Sequence, residues 1–460
     1  MKLLRRWQSA CITKALDQYK SGNKHFFCQA TPAAGKTHMS AELAKEMLAA
    51  QMIELVVCFA PSKEVVHGFR ATFKNVLGKQ FDGKLGAIGT ALTYQSMDYL
   101  EEEFWSLFCT YRVLAIFDEI HHCASPECGK SNLWGEKIVQ RIQNEAAFTL
   151  ALSGTPWRTD ELGIALAKYS SPSGQLLCDY RYSLSEAVSE EVCRSPRIVI
   201  VENEEVEVHL SSDTANETKR FDSINALLGC SDIRYHDLLS CDEAIGHLLQ
   251  IANIKLDDVR VSTPDAAGLI VTSSIEHAVQ VARVFRLLGQ SALVVTSENI
   301  DARECINDFR KGCSRWIIAV GMVAEGTDIP RIQVCCHLSR IRTELHFRQV
   351  LGRALRRRGD SDPAAWMFVF AEPSLCQFAE RLAVDLPEDL AVITRSTSTL
   401  GENKKSDLAS LFESSIDDDF ERSISLSQSL CGESGLDDSG YCYRRLGFSD
   451  RFRHQLLAIF

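Results

Sequence analysis

A lysine, a threonine and two carboxylates carry the clearest chemistry in this 460-residue chain. The run Gln29-Ala30-Thr31-Pro32-Ala33-Ala34-Gly35-Lys36-Thr37-His38 is close to G-x-x-x-x-G-K-[ST], with Ala30 in the first glycine place. In such a loop the backbone N–H groups at a helix N-terminus cradle phosphates. Lys36 would reach the β and γ phosphates, and the Thr37 hydroxyl would bind Mg2+. Ala33, Ala34, Gly35 and His38 complete the expected cradle, in which only Pro32 lacks an amide donor. Asp118 and Glu119 close an apolar run, Ile116-Phe117-Asp118-Glu119-Ile120-His121-His122. A carboxylate just past a buried strand lies where a metal on a neighbouring phosphate loop would sit. Asp118 is therefore expected to hold Mg2+, and Glu119 to orient or deprotonate an attacking water. Further on, Phe347-Arg348-Gln349-Val350-Leu351-Gly352-Arg353-Ala354-Leu355-Arg356 spaces Arg353 and Arg356 three apart, which puts both on one helix face. From there two guanidiniums can reach across a cleft to a γ-phosphate. Arg357 and Arg358 extend the run and read as solvated.

These groups need elements to hold them. Short runs rich in Val, Ile, Leu and Phe predict strands at His25–Ala30, Glu54–Ala60, Val113–Asp118 and Ala147–Ser153, buried on both faces. Met39, Leu43, Met47 and Leu48 recur at helical spacing and predict a helix over Lys36–Gln51. Strand, helix, strand is the mark of a parallel α/β sheet. Ser171-Pro172-Ser173-Gly174 reads as a break. A second α/β block has expected strands at Gly268–Thr272, Ala292–Thr296, Trp316–Val320, Gln333–Leu338 and Trp366–Ala371. The expected organisation is a first domain over 1–174, a connector over 175–255 with a helical run through His247–Lys255, a second domain over 256–395, and a tail over 396–460. Residues 401–440 carry ten acidic and three basic side chains and read as flexible. The last stretch, with Arg444, Arg445, Arg451, Arg453, Phe452, Leu456 and Leu457, reads as a basic amphipathic helix with Ser449 as N-cap.

In this order the motifs resemble those of the superfamily 2 helicases and translocases of the DEAD/DEAH-like group, above all the branch with the type I and type III restriction motor subunits. The resemblance implies two RecA-like motor domains in tandem, ATP and Mg2+ as cofactors, and a nucleic-acid track, with DNA favoured over RNA. Arg6-Trp7-Gln8 looks like the adenine-side motif, which places Gln8 against the nucleotide. Asp118-Glu119-Ile120-His121 is the box itself. Ser153-Gly154-Thr155-Pro156-Trp157-Arg158 looks like the motif that couples hydrolysis to movement, so Ser153, Thr155 and His121 are coupling candidates. Ala60-Pro61-Ser62 and Thr93-Tyr94-Gln95-Ser96 look like motifs that touch a strand. Gly268-Leu269-Ile270-Val271 with His277-Ala278 resembles the motif opening the second motor domain. Ala324-Glu325-Gly326-Thr327-Asp328-Ile329-Pro330 resembles the fifth motif and brings Gly326 and Asp328 to the nucleotide. The Gln349, Arg353 and Arg356 run matches Q-x-x-G-R-x-x-R. Pro61, Ser62, Thr93, Thr327 and Arg342 are the candidates for phosphate contacts along a strand, holding it without reading sequence.

Composition sets bounds. Lys+Arg is 50 against Asp+Glu 61, a net charge of −11, which argues against a coat of positive charge and leaves room for a local basic groove. No apolar run reaches the ~18 residues of a membrane span, and the first residues have no apolar core for a signal peptide. Seventeen cysteines without an export signal point to free thiols in a reducing cytoplasm. Cys123 and Cys128 near His121 and His122, and Cys335-Cys336-His337, lack paired C-x-x-C spacing and read as buried thiols rather than zinc ligands. The expected function is an ATP-dependent DNA helicase or translocase. An RNA helicase, or a regulatory ATPase that switches a protein partner through the tail, are the alternatives.

Overall fold

The protein is described by a computed structural model covering residues 3–124, 133–156, 163–171, 176–211, 216–229, 233–296, 298–299, 301–320, 329–359, 364–384, 392–395, 443–449 and 452–459. The acidic segment 401–440, Cys128, Trp157, Arg158 and the fifth-motif residues Gly326, Thr327 and Asp328 lie outside the described residues.

Two parallel α/β sheets follow one another, the arrangement of tandem RecA-like domains. The first has the order β3-β2-β4-β5-β1-β8. Its strands are β1 (His25–Ala30), β2 (Leu55–Ala60), β3 (Gly89–Thr93), β4 (Val113–Asp118), β5 (Phe148–Ser153) and β8 (Tyr180–Tyr182). All neighbours run parallel. The alternation of side chains explains why these runs read as continuously apolar. Leu114 and Ile116 of β4 enter one core with Phe26, Val56 and Leu150, while Val113, Ala115 and Phe117 enter a second with Phe27, Phe59 and Ala151. A short pair, β6 (Lys168–Tyr169) and β7 (Leu176–Leu177), lies beside it.

The second sheet has the order β13-β14-β12-β15-β16-β9-β19-β17. It contains β9 (Ser195–Asn203), β12 (Ala267–Thr272), β13 (Ala292–Val295), β14 (Trp316–Val320), β15 (Ile332–Leu338), β16 (Ala364–Phe370), β17 (Val392–Arg395) and β19 (Phe452–Ile459). The six from β13 to β9 are parallel, and β19 and β17 are antiparallel additions. A small antiparallel sheet joins β10 (Val206–Ser211) to β11 (Asn216–Phe221) and β18 (Tyr443–Phe448).

The segment expected as a connector thus supplies β8 to the first sheet and β9 to the second. Its acidic stretch turns the corner from β9 in the second sheet to β10 in the small sheet, where the Asn203 side chain accepts from the Glu205 N–H at 3.0 Å. The helical run extends over Asp242–Ser262. The terminal residues do not form the expected helix: they are the strands β18 and β19. A short amphipathic run fits either period. Here the free edge of β9 takes up β19, with Phe452 opposite Asn203 and Ala458 opposite Arg197. Phe452 stacks on His247 at 3.8 Å, and His247 and His454 meet at 2.9 Å between their Nε2 atoms. Among the described residues no helix is long and apolar enough to cross a membrane, and the thirteen cysteines are free thiols.

Candidate functional site

β1 ends at Ala30 and a helix begins at Lys36, so the residues between them turn the chain at the edge of the sheet. Gly35 has φ +95° and Ala33 φ +66°. A Cβ at Gly35 would also stand 3.0 Å from Gln8 Nε2, a second reason for glycine there. Gln8 donates to the Gly35 carbonyl at 3.0 Å and accepts the Arg5 N–H at 2.9 Å. The Arg5 guanidinium donates to the Ala34 carbonyl at 2.6 Å. Two side chains from before the first strand thus clamp consecutive carbonyls of the loop. Trp7 braces this arrangement by stacking on Tyr182 of β8 at 4.9 Å. Thr37 and His38 are half-buried in the first helical turn.

Lys36 is buried. Its Nζ donates to the Ala30 carbonyl at 3.0 Å and stands 3.4 Å from Glu119 Oε1. Glu119 Oε2 accepts from the Gly154 N–H at 3.2 Å and the Ser153 hydroxyl at 3.4 Å. His121 Nδ1 meets Ser153 Oγ at 2.9 Å, and Ser153 Oγ accepts the Thr155 N–H at 3.2 Å. The phosphate loop, the acidic pair, His121, Ser153 and Thr155 are therefore one connected network. Burial alone would raise the Glu119 carboxyl; Lys36, His121 and the Gly154 N–H outweigh it and hold Glu119 below the usual carboxylate range. Asp118 goes the other way, raised by burial and by the Glu119 charge. Its Oδ1 is buried without a hydrogen-bond partner. An orphaned carboxylate oxygen beside a phosphate loop fits a hard cation such as Mg2+, which takes oxygen ligands.

The second sheet reaches this network through the helix Glu344–Ala354, which Thr343 caps by accepting the His346 N–H at 3.3 Å. Gly352 packs on the phosphate loop so closely that a Cβ there would lie 2.8 Å from Pro32 Cβ. Gln349 and Arg353 are half-buried on this helix. Arg356 is not on it. The helix ends at Ala354, and Arg356 forms an isolated bridge with Cys193. The cause is Arg194, fully buried, whose guanidinium donates to the carbonyls of Ala354 and Ile332 at 2.5 Å and of Pro330 at 2.8 Å. Its backbone N–H takes the Leu355 carbonyl at 2.8 Å. These bonds satisfy carbonyls that a helix end leaves open, so the chain turns away one residue before Arg356. A crevice between the two sheets is lined by Thr31, Pro32, Gly154 and Thr155 on one side and by Arg348 and Leu351 on the other.

Pro61, Ser62 and Thr93 sit together, because Ala60 and Thr93 are register partners of β2 and β3. Ser62 caps the helix Lys63–Leu77, and Thr93 caps the turn Tyr94–Tyr99. Arg342 lies elsewhere and is held by the buried Glu372 at 2.9 Å.

Residues 1–158 match the family model "Type III restriction enzyme, res subunit", and residues 253–358 match "Helicase conserved C-terminal domain". Together the two matches support a superfamily 2 helicase of the Res-like branch. It is 28% identical over 400 residues to an uncharacterized protein of Mycobacterium tuberculosis, covering 83% of this chain and 63% of that protein. It is 23% identical over 347 residues to a DNA 3'-5' translocase of Sulfurisphaera tokodaii, covering 71% of this chain and 73% of the relative. In fold it is similar to a fragment described as an HsdR subunit of a type I restriction enzyme from Vibrio vulnificus, with a TM-score of 0.58, 16% identity, and coverage of 82% and 66% of the two chains. The type ISP restriction-modification enzyme LlaBIII bound to DNA gives a TM-score of 0.51 at 15% identity, over 80% of this chain and 28% of that one.

The sequence motifs miss Arg5 and Arg194, and they include Tyr94 without a role for its hydroxyl, which donates to the Asp118 carbonyl. Arg5 has a signal, an arginine at the N-cap of the helix that carries Gln8. Arg194 has none, since its carbonyl partners come from segments more than a hundred residues away.

Proposed function

We propose that the chain is an ATP-dependent DNA translocase or helicase whose hydrolysis site is completed between the two motor domains. The observation that carries the reading is the contact of Gly352 with Pro32, which sets the helix of Arg353 against the phosphate loop. Lys36 would leave Glu119 to hold the β and γ phosphates. Glu119, with its charge kept by Lys36 and the Gly154 N–H, would take the proton of the attacking water. Mg2+ held by Thr37 and Asp118 would supply counter-charge to the phosphates when bound. Arg353, with Gln349 beside it, would stabilise charge developing on the γ-phosphate, and Arg356 would assist from the bridge beyond the helix. Gln8 would read the base, and Gly326 and Asp328 would close the nucleotide side of the second domain. Ser153, Thr155 and His121 would pass the state of Glu119 onward. Pro61, Ser62, Thr93 and Thr327 would touch the strand through its phosphates. Arg342, paired with Glu372, would join them only by exchanging that partner.

DNA as the track is supported by the relative named a DNA translocase, by the LlaBIII structure bound to DNA and by the restriction-subunit family model. The test is steady-state ATP hydrolysis with single-stranded DNA, duplex DNA, a forked duplex and RNA, at low and moderate salt. Stimulation of about tenfold or more by a DNA, weakening with salt, is the expected result. Stronger stimulation by RNA would turn the reading to an RNA helicase. Hydrolysis indifferent to every nucleic acid would end it and favour a switch acting on a protein partner.

A further inference from the structure

Tyr94 follows Thr93 directly and opens the turn Tyr94–Tyr99. Its ring is fully buried, in the same core as Phe59, Phe117 and Ile120, and stacks near Trp134 at 6.0 Å. Its hydroxyl donates to the Asp118 carbonyl at 2.8 Å. Burial raises its pKa well above the usual value, so the proton stays available for donation.

That carbonyl belongs to the peptide joining Asp118 to Glu119. Glu119 takes φ +49° and ψ +52°, a left-handed conformation that a side chain with a Cβ disfavours. This conformation sends its carboxylate to Lys36, Ser153 and Gly154. Such a conformation persists where surrounding bonds over-determine it. On the other side, the Thr93 hydroxyl accepts the Ser96 N–H at 3.3 Å, and Gln95 donates to the Pro61 carbonyl at 3.3 Å. The turn that carries Tyr94 is thus tied to the neighbouring loop of Pro61 and Ser62.

We propose that the Tyr94 hydroxyl is a positioning group: it sets the Asp118–Glu119 peptide, and it conveys occupancy of the Thr93 and Pro61 loops to the Glu119 carboxylate. This rests on the reading of Glu119 and of those loops given above. It requires no wire through the sheet, since one side chain spans from the turn to the acidic pair.

The experiment is Tyr94→Phe in the full chain, which removes one oxygen and keeps the ring. The expected result is a fall of about tenfold in kcat with nucleic acid present, equal to ~1.4 kcal/mol. KM for ATP and the half-saturating nucleic-acid concentration stay within about twofold, and the thermal midpoint stays close to that of the parent. An unchanged kcat overturns the proposal. So does a fall in kcat with a matching rise in KM and a lowered midpoint, which is what lost packing alone would produce. If no nucleic acid stimulates the parent protein, the functional reading fails and the conveying role is overturned with it. The positioning role is then decided by the same tenfold criterion on unstimulated kcat. A parent protein without ATP turnover overturns both.

Discussion

Glu119 combines an unfavourable backbone with four partners for its carboxylate, Lys36, His121, Ser153 and Gly154. The left-handed conformation costs roughly 1–2 kcal/mol for a residue with a Cβ. The ion pair to buried Lys36 and the Gly154 N–H offset it, so the strained residue is held by the groups it would work with. Glu119→Gln should keep nucleotide binding and lower hydrolysis by about a hundredfold or more, since the base is lost and the shape is kept. Loss of nucleotide binding in a binding titration would show that Glu119 is structural. Lys36→Ala should lower turnover by at least about a hundredfold through the missing phosphate contact. Full turnover would remove Lys36 from the site. At this scale the chain was legible: Lys36, Asp118 and Glu119 announce themselves because the chemistry tolerates few side-chain types. Tyr94 did not, because a tyrosine after a strand is ordinary until its hydroxyl is seen on the Asp118 carbonyl.

The helix Glu344–Ala354 is placed by two contacts from outside it. Gly352 touches Pro32 at its phosphate-loop side, and Arg194 closes its end. Gly352→Ala is a sharp test, because alanine favours a helix over glycine by about 1 kcal/mol. The helix itself should therefore be at least as stable. The added methyl, 2.8 Å from Pro32 Cβ, must push the helix or the loop aside. We expect kcat to fall by about tenfold with an unchanged thermal midpoint, since small misplacements of reacting groups are costly. Activity equal to the parent would mean that this contact does not set the site. The terminal strand carries the complementary lesson. Phe452-Arg453-His454-Gln455 gives no decisive period, and the partner that makes it a strand, β9, begins about 250 residues earlier.

Across the described residues, burial lowers the pKa of seven histidines, His25 and His236 among them. His247 and His337 are held at about 3, and His277, His346 and His454 at about 4. A histidine with a lowered folded pKa leaves the unfolded chain holding more protons between that value and about 6.5. Stability therefore rises with pH through this window and levels off above it. Asp118 and Glu202, raised by burial, contribute the opposite slope, but they are two groups against seven. The thermal midpoint should fall steadily from pH 7 to pH 5, and His454→Gln should flatten part of that fall, because it removes one titrating group from the His247 pair. A midpoint independent of pH over this range would contradict the buried neutral histidines.

By itself the sequence determined the strand, turn and helix around Lys36, the acidic pair at the end of β4, the strands β1, β2, β4 and β5 of the first sheet and β12 to β16 of the second, and the order of the motifs. These depend on residue types at short range: apolar runs long enough to bury, a glycine where φ must be positive, a lysine and carboxylates where charge is needed. Tertiary structure alone decided that residues 175–255 feed both sheets, that the last residues pair with β9, that Arg194 ends the helix Glu344–Ala354 before Arg356, and that Pro32 meets Gly352. Each of these is a hydrogen bond or a close contact between segments distant in the chain. Neither partner carries a local preference for the other, and only the folded chain brings them within range.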